Sequence, residues 1–245
     1  MSQKSRNVSN LSATHFLVEL RSRLLRSFVM LFLVLIVATY FANTLYHFLA
    51  FPLLKFLPQG HLIATQLASS FFVPFKLAFM VSLLLAVPFF LFQLWSFISP
   101  ALYGYERRLV WPFLWLSVML FYAGIAFSYF VILPTLFHFL AQTVPSGVVL
   151  APDISEYFDF TIKLLLVFGF LFEIPMVMVL LISVNIVSRD WFIRKRSYAI
   201  IGAFILGMLL APPDVLSQTL LAVPICLLYE LGILLGRFCR KDLSA

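Results

Sequence analysis

Read as a pattern of apolar and polar positions, the 245-residue chain divides into hydrophobic runs at about 24–41, 71–98, 111–140, 157–184, 197–210 and 215–235. A helix needs about 20 apolar residues to cross a hydrocarbon core of roughly 30 Å, so these runs predict transmembrane helices. The second, third and fourth are longer than a bilayer requires. Tilt, kinks or projection beyond the membrane must absorb the excess. The fifth is short, at about 14 residues or ~21 Å of helix. The breaker Ala211-Pro212-Pro213-Asp214 ends it and the sixth run begins at once. Together they predict a short helical hairpin in a locally thinned bilayer. The expected fold is all-α, a polytopic membrane protein with six transmembrane helices forming a single domain over residues 1–245.

The connections are simple. The first outer loop, about 42–70, contains His47-Phe48-Leu49 and a Pro52 to Leu57 stretch that predict a short amphipathic helix at the interface. The second, about 141–156, has an ordinary turn composition in Val144-Pro145-Ser146-Gly147 and Pro152-Asp153. No internal repeat of hydropathy marks the inverted halves common among secondary transporters. Residues 1–26 are basic, but the apolar run after them is too long for a cleavable signal and lacks a small-residue cleavage site. The first run is therefore expected to stay in the protein.

Composition removes the soluble alternatives. Apolar residues make up 63% of the chain and charged residues 11%, with mean hydropathy +1.05, where soluble domains carry about 25% charged residues. Phe alone occurs 29 times. On one continuous helix Cys226 and Cys239 would lie roughly 20 Å apart, and a disulfide needs Cα atoms within about 7 Å.

Charge then orients the helices. All but three of the 17 Lys and Arg residues (Lys55, Lys76 and Lys163) fall in residues 1–26, 99–110, 185–196 and 236–245. Only four of the 10 acids (Glu19, Glu106, Asp190 and Asp242) fall there. The positive-inside rule places these segments, and both termini, in the cytoplasm.

Several enzyme classes find no support. The chain has no G-x-x-x-x-G-K-[ST] phosphate loop, no H-E-x-x-H and no G-x-S-x-G. The four histidines (His15, His47, His61 and His138) lie on different segments without metal-ligand spacing. Ser82 and Ser183 sit in apolar runs, where a helical serine usually bonds a carbonyl one turn back. No enzymatic activity and no cofactor are expected, so the energy for any work comes from a gradient or a partner.

The charged residues that remain carry the candidate chemistry. Glu19 reads either as an exposed i, i+4 pair with Arg23 or as a carboxylate held at the inner surface for a cationic ligand. Glu106, beside Arg107 and Arg108, reads either as part of a boundary loop or as a second such acid. Two carboxylates there suit adjacent arginines, whose planar forks bind in a two-point manner that lysine cannot copy. Glu173 lies roughly 15 Å deep in the fourth run, where an ionised acid costs about 2.5–3.5 kcal/mol on insertion scales. It faces either a wet cavity or the protein interior, there as a protonated, hydrogen-bonded carboxyl. Pro175 frees the carbonyl of Leu171 nearby and predicts a bend. Lys76 and Lys163 are expected to snorkel to the outer interface, and Glu230 inward near Arg237. Gly232 and Gly236 form a G-x-x-x-G face suited to close helix contact. Asp214, after two prolines, is a turn residue beside a short span, where a partner contact is conceivable.

The residues Phe16-Leu17-Val18-Glu19-Leu20-Arg21-Ser22-Arg23-Leu24-Leu25 resemble the amino-terminal signature of the TatC family. So do Phe97-Ile98-Ser99-Pro100-Ala101-Leu102-Tyr103 with Glu106-Arg107-Arg108, and Phe168-Gly169 with Phe172-Glu173-Ile174-Pro175. Gly202-Ala203-Phe204, Gly207 through Asp214 and Ser217-Gln218-Thr219-Leu220 complete a match from about 14 to 238. The resemblance implies a cup-shaped six-helix receptor subunit of the twin-arginine protein translocase, in the bacterial cytoplasmic (inner) membrane. It implies binding of twin-arginine signal peptides of folded export substrates, TatB-like and TatA-like single-span partners, a homo-oligomer within a larger complex, and use of the proton-motive force.

By residue match, Glu19 and Glu106 would receive the two arginines, and Arg21, Phe97, Tyr103 and Arg108 would shape that site. Glu173 would be the polar group on the concave face within the membrane. Met208, Asp214 and Gln218 would lie where a partner helix docks, and Pro52 at a position tied to assembly. Ala211 departs from the threonine of relatives, which alters the polarity of that docking patch. Two other readings are a proton-coupled small-solute transporter using Glu173 and a scaffold that recruits single-span helices through the 198–235 hairpin.

Overall fold

The computed structural model of the chain describes residues 2–55, 63–65, 67–98, 110–143, 152–210 and 214–239. Their order is α1 (Ser2–Tyr40), α2 (Ala42–Leu54), α3 (Leu67–Ile98), α4 (Val110–Phe127), a π-helical turn (Ser128–Ile132), α5 (Leu133–Thr143), α6 (Ile154–Leu171), α7 (Ile174–Ser183), α8 (Arg189–Arg194), α9 (Arg196–Leu210) and α10 (Val215–Cys239). Among the described residues no strand forms, and an isolated bridge joins Ile63 to Asp153. Five stretches are long and apolar enough to span a bilayer: Arg21–Tyr40, Phe72–Gln93, Trp111–Thr143, Ile154–Ser183 and Val215–Arg237. Helix α9, Arg196–Leu210, is apolar but shorter than these five. Among the described residues these stretches lie within about five residues of the hydropathy runs, and the fifth run falls on the short α9.

Prolines set the irregularities. Pro175 cannot donate to Leu171, and α6 ends at that carbonyl; α7 begins at Ile174 after a two-residue turn. Pro134 cannot donate to Phe130, and the backbone answers one turn earlier. There the Leu133 amide reaches the Ser128 carbonyl in the wide π pattern. The expected interface helix is also present: α2 buries Leu49, Ala50, Pro52 and Leu53 and leaves Phe48 and Phe51 exposed. Serine behaves as its chemistry dictates. Ser82 Oγ donates to the Phe79 carbonyl (2.6 Å) and Ser183 Oγ to Val179 (2.9 Å).

The main core is built where α2, α3, α4, α5 and α6 meet, around Leu53, Leu77, Phe121, Leu136, Phe158 and Phe168. In lipid, packing rather than water exclusion brings helices together, and small residues permit backbone approach. A Cβ on Gly124 of α4 would stand 2.5 Å from the Phe168 carbonyl oxygen and 3.0 Å from Gly169 Cα on α6. The Gly232–Gly236 face is consumed inside the chain. Cβ atoms there would meet Met178 Sδ and Ile182 Cδ1 of α7, both at 2.5 Å. The close contact that the motif predicts is therefore between α10 and α7. Helix α1 differs, packing mainly on α3 and leaving Phe32 and Ile36 exposed to more than 60%.

This packing predicts opposite outcomes for one substitution at two glycines. Gly124→Ala should destabilise by about 1–3 kcal/mol through overpacking against backbone. Gly202→Ala, which has open space around it, should be neutral or stabilising by up to about 1 kcal/mol through helix propensity. Thermal unfolding of both variants in detergent checks this, and equal effects would refute the close α4–α6 approach.

Candidate functional site

The basic end of the α1–α3 pair brings together part of the proposed inner-surface site. Arg23 Nη1 donates to the Gln93 carbonyl of α3 (2.9 Å), pinning the register of two antiparallel helices. Glu19 lies one turn before Arg23 and Phe97 one turn after Gln93, so these two backbone positions occupy the same level of the pair. Both lie just beyond the apolar stretches that begin at Arg21 and end at Gln93. Arg21 is exposed beside them. Tyr103, Glu106 and Arg108 lie outside the described residues, in the segment that leaves α3 at this same end. One α-helix therefore carries Glu19 through the boundary without a break, which the arginine-rich pattern around it only suggested.

Glu173 stands at the break between α6 and α7, at the N-cap position of α7 but without a side-chain cap bond. Its side chain is buried, at 8% exposure, and hydrogen-bonds the Ser117 hydroxyl of α4. Oε1 has no hydrogen-bond partner among the described residues. Between the open possibilities, its low exposure puts this acid in the protein interior.

The α9–α10 hairpin resolves a third group. Asp214 Oδ2 accepts from the Ser217 amide (2.7 Å) and so caps α10. Gln218 Nε2 donates to the Phe204 carbonyl (2.9 Å), stitching α10 to α9. A Cβ on Gly207 would lie 2.9 Å from the Gln218 carbonyl oxygen. Met208 is 59% exposed, beside exposed Ile205 and Leu209. The polar atoms of Asp214 and Gln218 thus hold the hairpin while its apolar face stays open. Ala211 lies outside the described residues.

Two expectations about isolated charges are corrected. Lys76 forms an ion pair with Asp159 of α6 rather than simply snorkelling, because the neighbouring helix presents an acid within its reach. Glu230, expected to snorkel inward near Arg237, instead pairs with Arg196 Nη2 of α9 (2.7 Å). Lys163 remains exposed, as snorkelling requires.

At the opposite end lie contacts that sequence reading missed. Pro52 has no amide to give the Phe48 carbonyl. The Tyr129 hydroxyl of the π turn donates to that oxygen instead (2.6 Å), with the two rings stacked at 4.8 Å and 5°. Tyr157 of α6 donates to the next carbonyl, Leu49 (2.6 Å). Pro52 thereby creates the acceptor by which α2 is fastened to the third span. Asp153, read as an ordinary turn residue, clamps two segments. Its Oδ2 accepts from the Thr65 amide (2.8 Å) and hydroxyl (2.6 Å). Its Oδ1 accepts from the Ser155 amide (2.8 Å) at the start of α6. These bonds, the Thr65 hydroxyl's foremost, hold the carboxyl down at a pKa of about 2. The Asp153-x-x-Glu156 spacing was a visible helix-start signal.

Comparisons with known proteins agree with this architecture. A family model described as Sec-independent protein translocase protein (TatC) matches residues 15–224. A protein named Sec-independent protein translocase protein TatC from Haemophilus influenzae is 49% identical over 231 residues, 94% of this chain and 90% of that one. Its counterpart in Escherichia coli is 51% identical over 226 residues, 92% and 87% of the two chains. A crystal structure described as the twin arginine translocase receptor TatC superposes with a TM-score of 0.82 at 35% identity, covering 92% of this chain and 100% of the other. These likenesses support the receptor reading and not a solute transporter built on Glu173.

Two outcomes follow from the outer contacts. Because Pro52→Ala restores an amide donor to the Phe48 carbonyl, Tyr129→Phe should cost about 1 kcal/mol in the parent and markedly less in the Pro52→Ala background. A double-mutant cycle of unfolding midpoints reads this coupling, and strictly additive effects would contradict it. The Asp153 clamp has a folded pKa below its unfolded value near 3.9, so its contribution is complete above about pH 4 and is lost as pH falls through about 2. Spin labels at Ala64 and Ser155 should stay close down to pH 4 and separate toward pH 2; separation already at pH 5 would oppose the assignment.

Proposed function

The chain belongs to the TatC family of Sec-independent protein translocase proteins, and on that premise we propose that it captures twin-arginine signal peptides at its cytoplasmic face and assembles an export complex. Glu19 and Glu106 are the anionic partners of the two arginines in this reading, and Arg21, Phe97, Tyr103 and Arg108 shape the surface around them. The observation that carries it is the Arg23–Gln93 register, which sets Glu19 level with Phe97 at the end of α3 from which the Glu106 segment departs. A guanidinium held by a carboxylate in two-point contact is worth more than an ordinary hydrogen bond, and adjacent arginines present two of them.

The basic segments orient this end toward the cytoplasm, with both termini inside and the protein in the inner membrane. TatB-like and TatA-like single-span helices dock on the open face of the α9–α10 hairpin around Met208, Asp214 and Gln218. Pro52 supports assembly by fastening α2. Residues 1–245 act as one transmembrane unit, and several copies enter one larger complex as a homo-oligomer. The protein works as a receptor and scaffold rather than an enzyme, without a cofactor, and the proton-motive force drives transport. Glu173 is the polar point within the membrane.

Replacing both acids, Glu19→Ala with Glu106→Ala, should reduce photocrosslinking of a twin-arginine peptide at least tenfold, the loss expected for charge-assisted pairs of about 1.5–3 kcal/mol. Membrane insertion and the unfolding midpoint should be unchanged. Undiminished crosslinking in that stably inserted double variant would remove these acids from the site.

A further inference from the structure

A groove of about 750 Å³ opens between one face of α2 and the π turn, lined by His47, Phe48, Phe51, Lys55, Phe130 and Pro134 among others. Its walls are apolar, and Phe51 and Phe130 are each more than 60% exposed. Lys55 is among its lining residues, a cation with no ion pair among the described residues. No Asp or Glu occurs between Glu19 and Glu106, so the whole first outer loop offers this lysine no acid. The groove therefore joins a hydrocarbon-like trough to an uncompensated positive charge.

Depth fixes what reaches it. The third span, Trp111–Thr143, has 33 residues and extends about 50 Å, well beyond a core of roughly 30 Å. With Trp111 at one boundary, Ser128 lies about 26 Å along the helix, so the π turn sits where acyl chains meet headgroups. Tyr40 and Phe41, paired edge to face at 5.2 Å, bring an aromatic pair of the kind that marks this level just before α2.

We propose that the groove holds an anionic phospholipid of the adjacent leaflet. An acyl chain lies along Phe48, Phe51 and Phe130, and the phosphate and acidic headgroup meet Lys55, with His47 on the same face of α2. A phospholipid has the two-part chemistry of the site, whereas a free anion would leave the trough exposed. This assignment stands apart from signal capture, which uses the other end of α1 and α3.

The test uses the full chain in nanodiscs of phosphatidylethanolamine doped with diazirine-labelled phosphatidylglycerol or phosphatidylcholine, with labelled sites mapped by mass spectrometry. Labelling by phosphatidylglycerol should concentrate on residues 44–55 and 129–134 relative to the lipid-exposed face of α1 at 28–37. Lys55→Glu should lower it about fivefold, as expected for about 1 kcal/mol per basic residue near an anionic headgroup; phosphatidylcholine labelling should not change. Lys55→Gln should give an intermediate loss, and the exposed position of this side chain leaves the unfolding midpoint unchanged. Labelling spread evenly around the belt, indifference to the charge at 55, or equal concentration of both lipids would overturn the proposal. So would protection of the groove by a second copy, seen as dimers crosslinked through position 51.

Discussion

In hydrocarbon no water is available for a backbone carbonyl that loses its partner, so every interruption of a spanning helix must be answered within the protein. That constraint explains the most irregular parts of this structure. Pro52 removes the amide that would serve Phe48, and Tyr129 replaces it from another helix. Pro134 meets a π turn, in which Leu133 bonds five residues back. Pro175 coincides with the end of α6 at Leu171. In the first case the missing bond becomes a tertiary contact, so a local defect fastens α2 to the third span.

Glycine does complementary work. Gly124 against Phe168 and Gly169, and Gly207 against Gln218, allow backbone approaches that any side chain would obstruct. Gly232 and Gly236 receive Met178 and Ile182, so the two halves of the interrupted α6–α7 span have separate neighbours: α4 holds the first and α10 the second. Glu173 sits at the junction, where neither helix supplies its Oε1 with a partner. The break is thus supported on both sides by packing, while its polar residue is met by the Ser117 hydroxyl.

Local patterns were legible and pairings were not. Hydropathy marks where each helix runs because every residue of a span must be apolar, and a proline's missing amide is a local fact. The partner of Lys76 is 83 positions away in the chain, and a rule about single lysines could only suggest snorkelling. The same limit applies to Asp153. Its place at a helix start was readable from Glu156 three residues on, but Thr65, which engages its other oxygen, is 88 residues distant. The G-x-x-x-G spacing announced a close contact without saying that α7 would fill it. At the candidate site, motif similarity named the residues, whereas the common level of Glu19 and Phe97 emerged only from the Arg23–Gln93 bond.

The polar ties divide unevenly over the molecule. At the end opposite the basic segments, Asp153, Tyr129, Tyr157 and Lys76 connect α2, α3, α6, the π turn and residues 63–65 through several independent contacts. At the basic end, Arg189 reaches the Ile233 carbonyl, Tyr229 reaches Phe192, and Arg196 pairs with Glu230, joining α8, α9 and α10. Helix α1 belongs to neither group. It packs mainly on α3, and the described polar tie between them is the Arg23 fork. The level of Glu19 relative to Phe97 therefore depends on a single helix pair and on the residue that fixes its register. An arginine serves that purpose better than a lysine because its planar donor group specifies direction as well as distance.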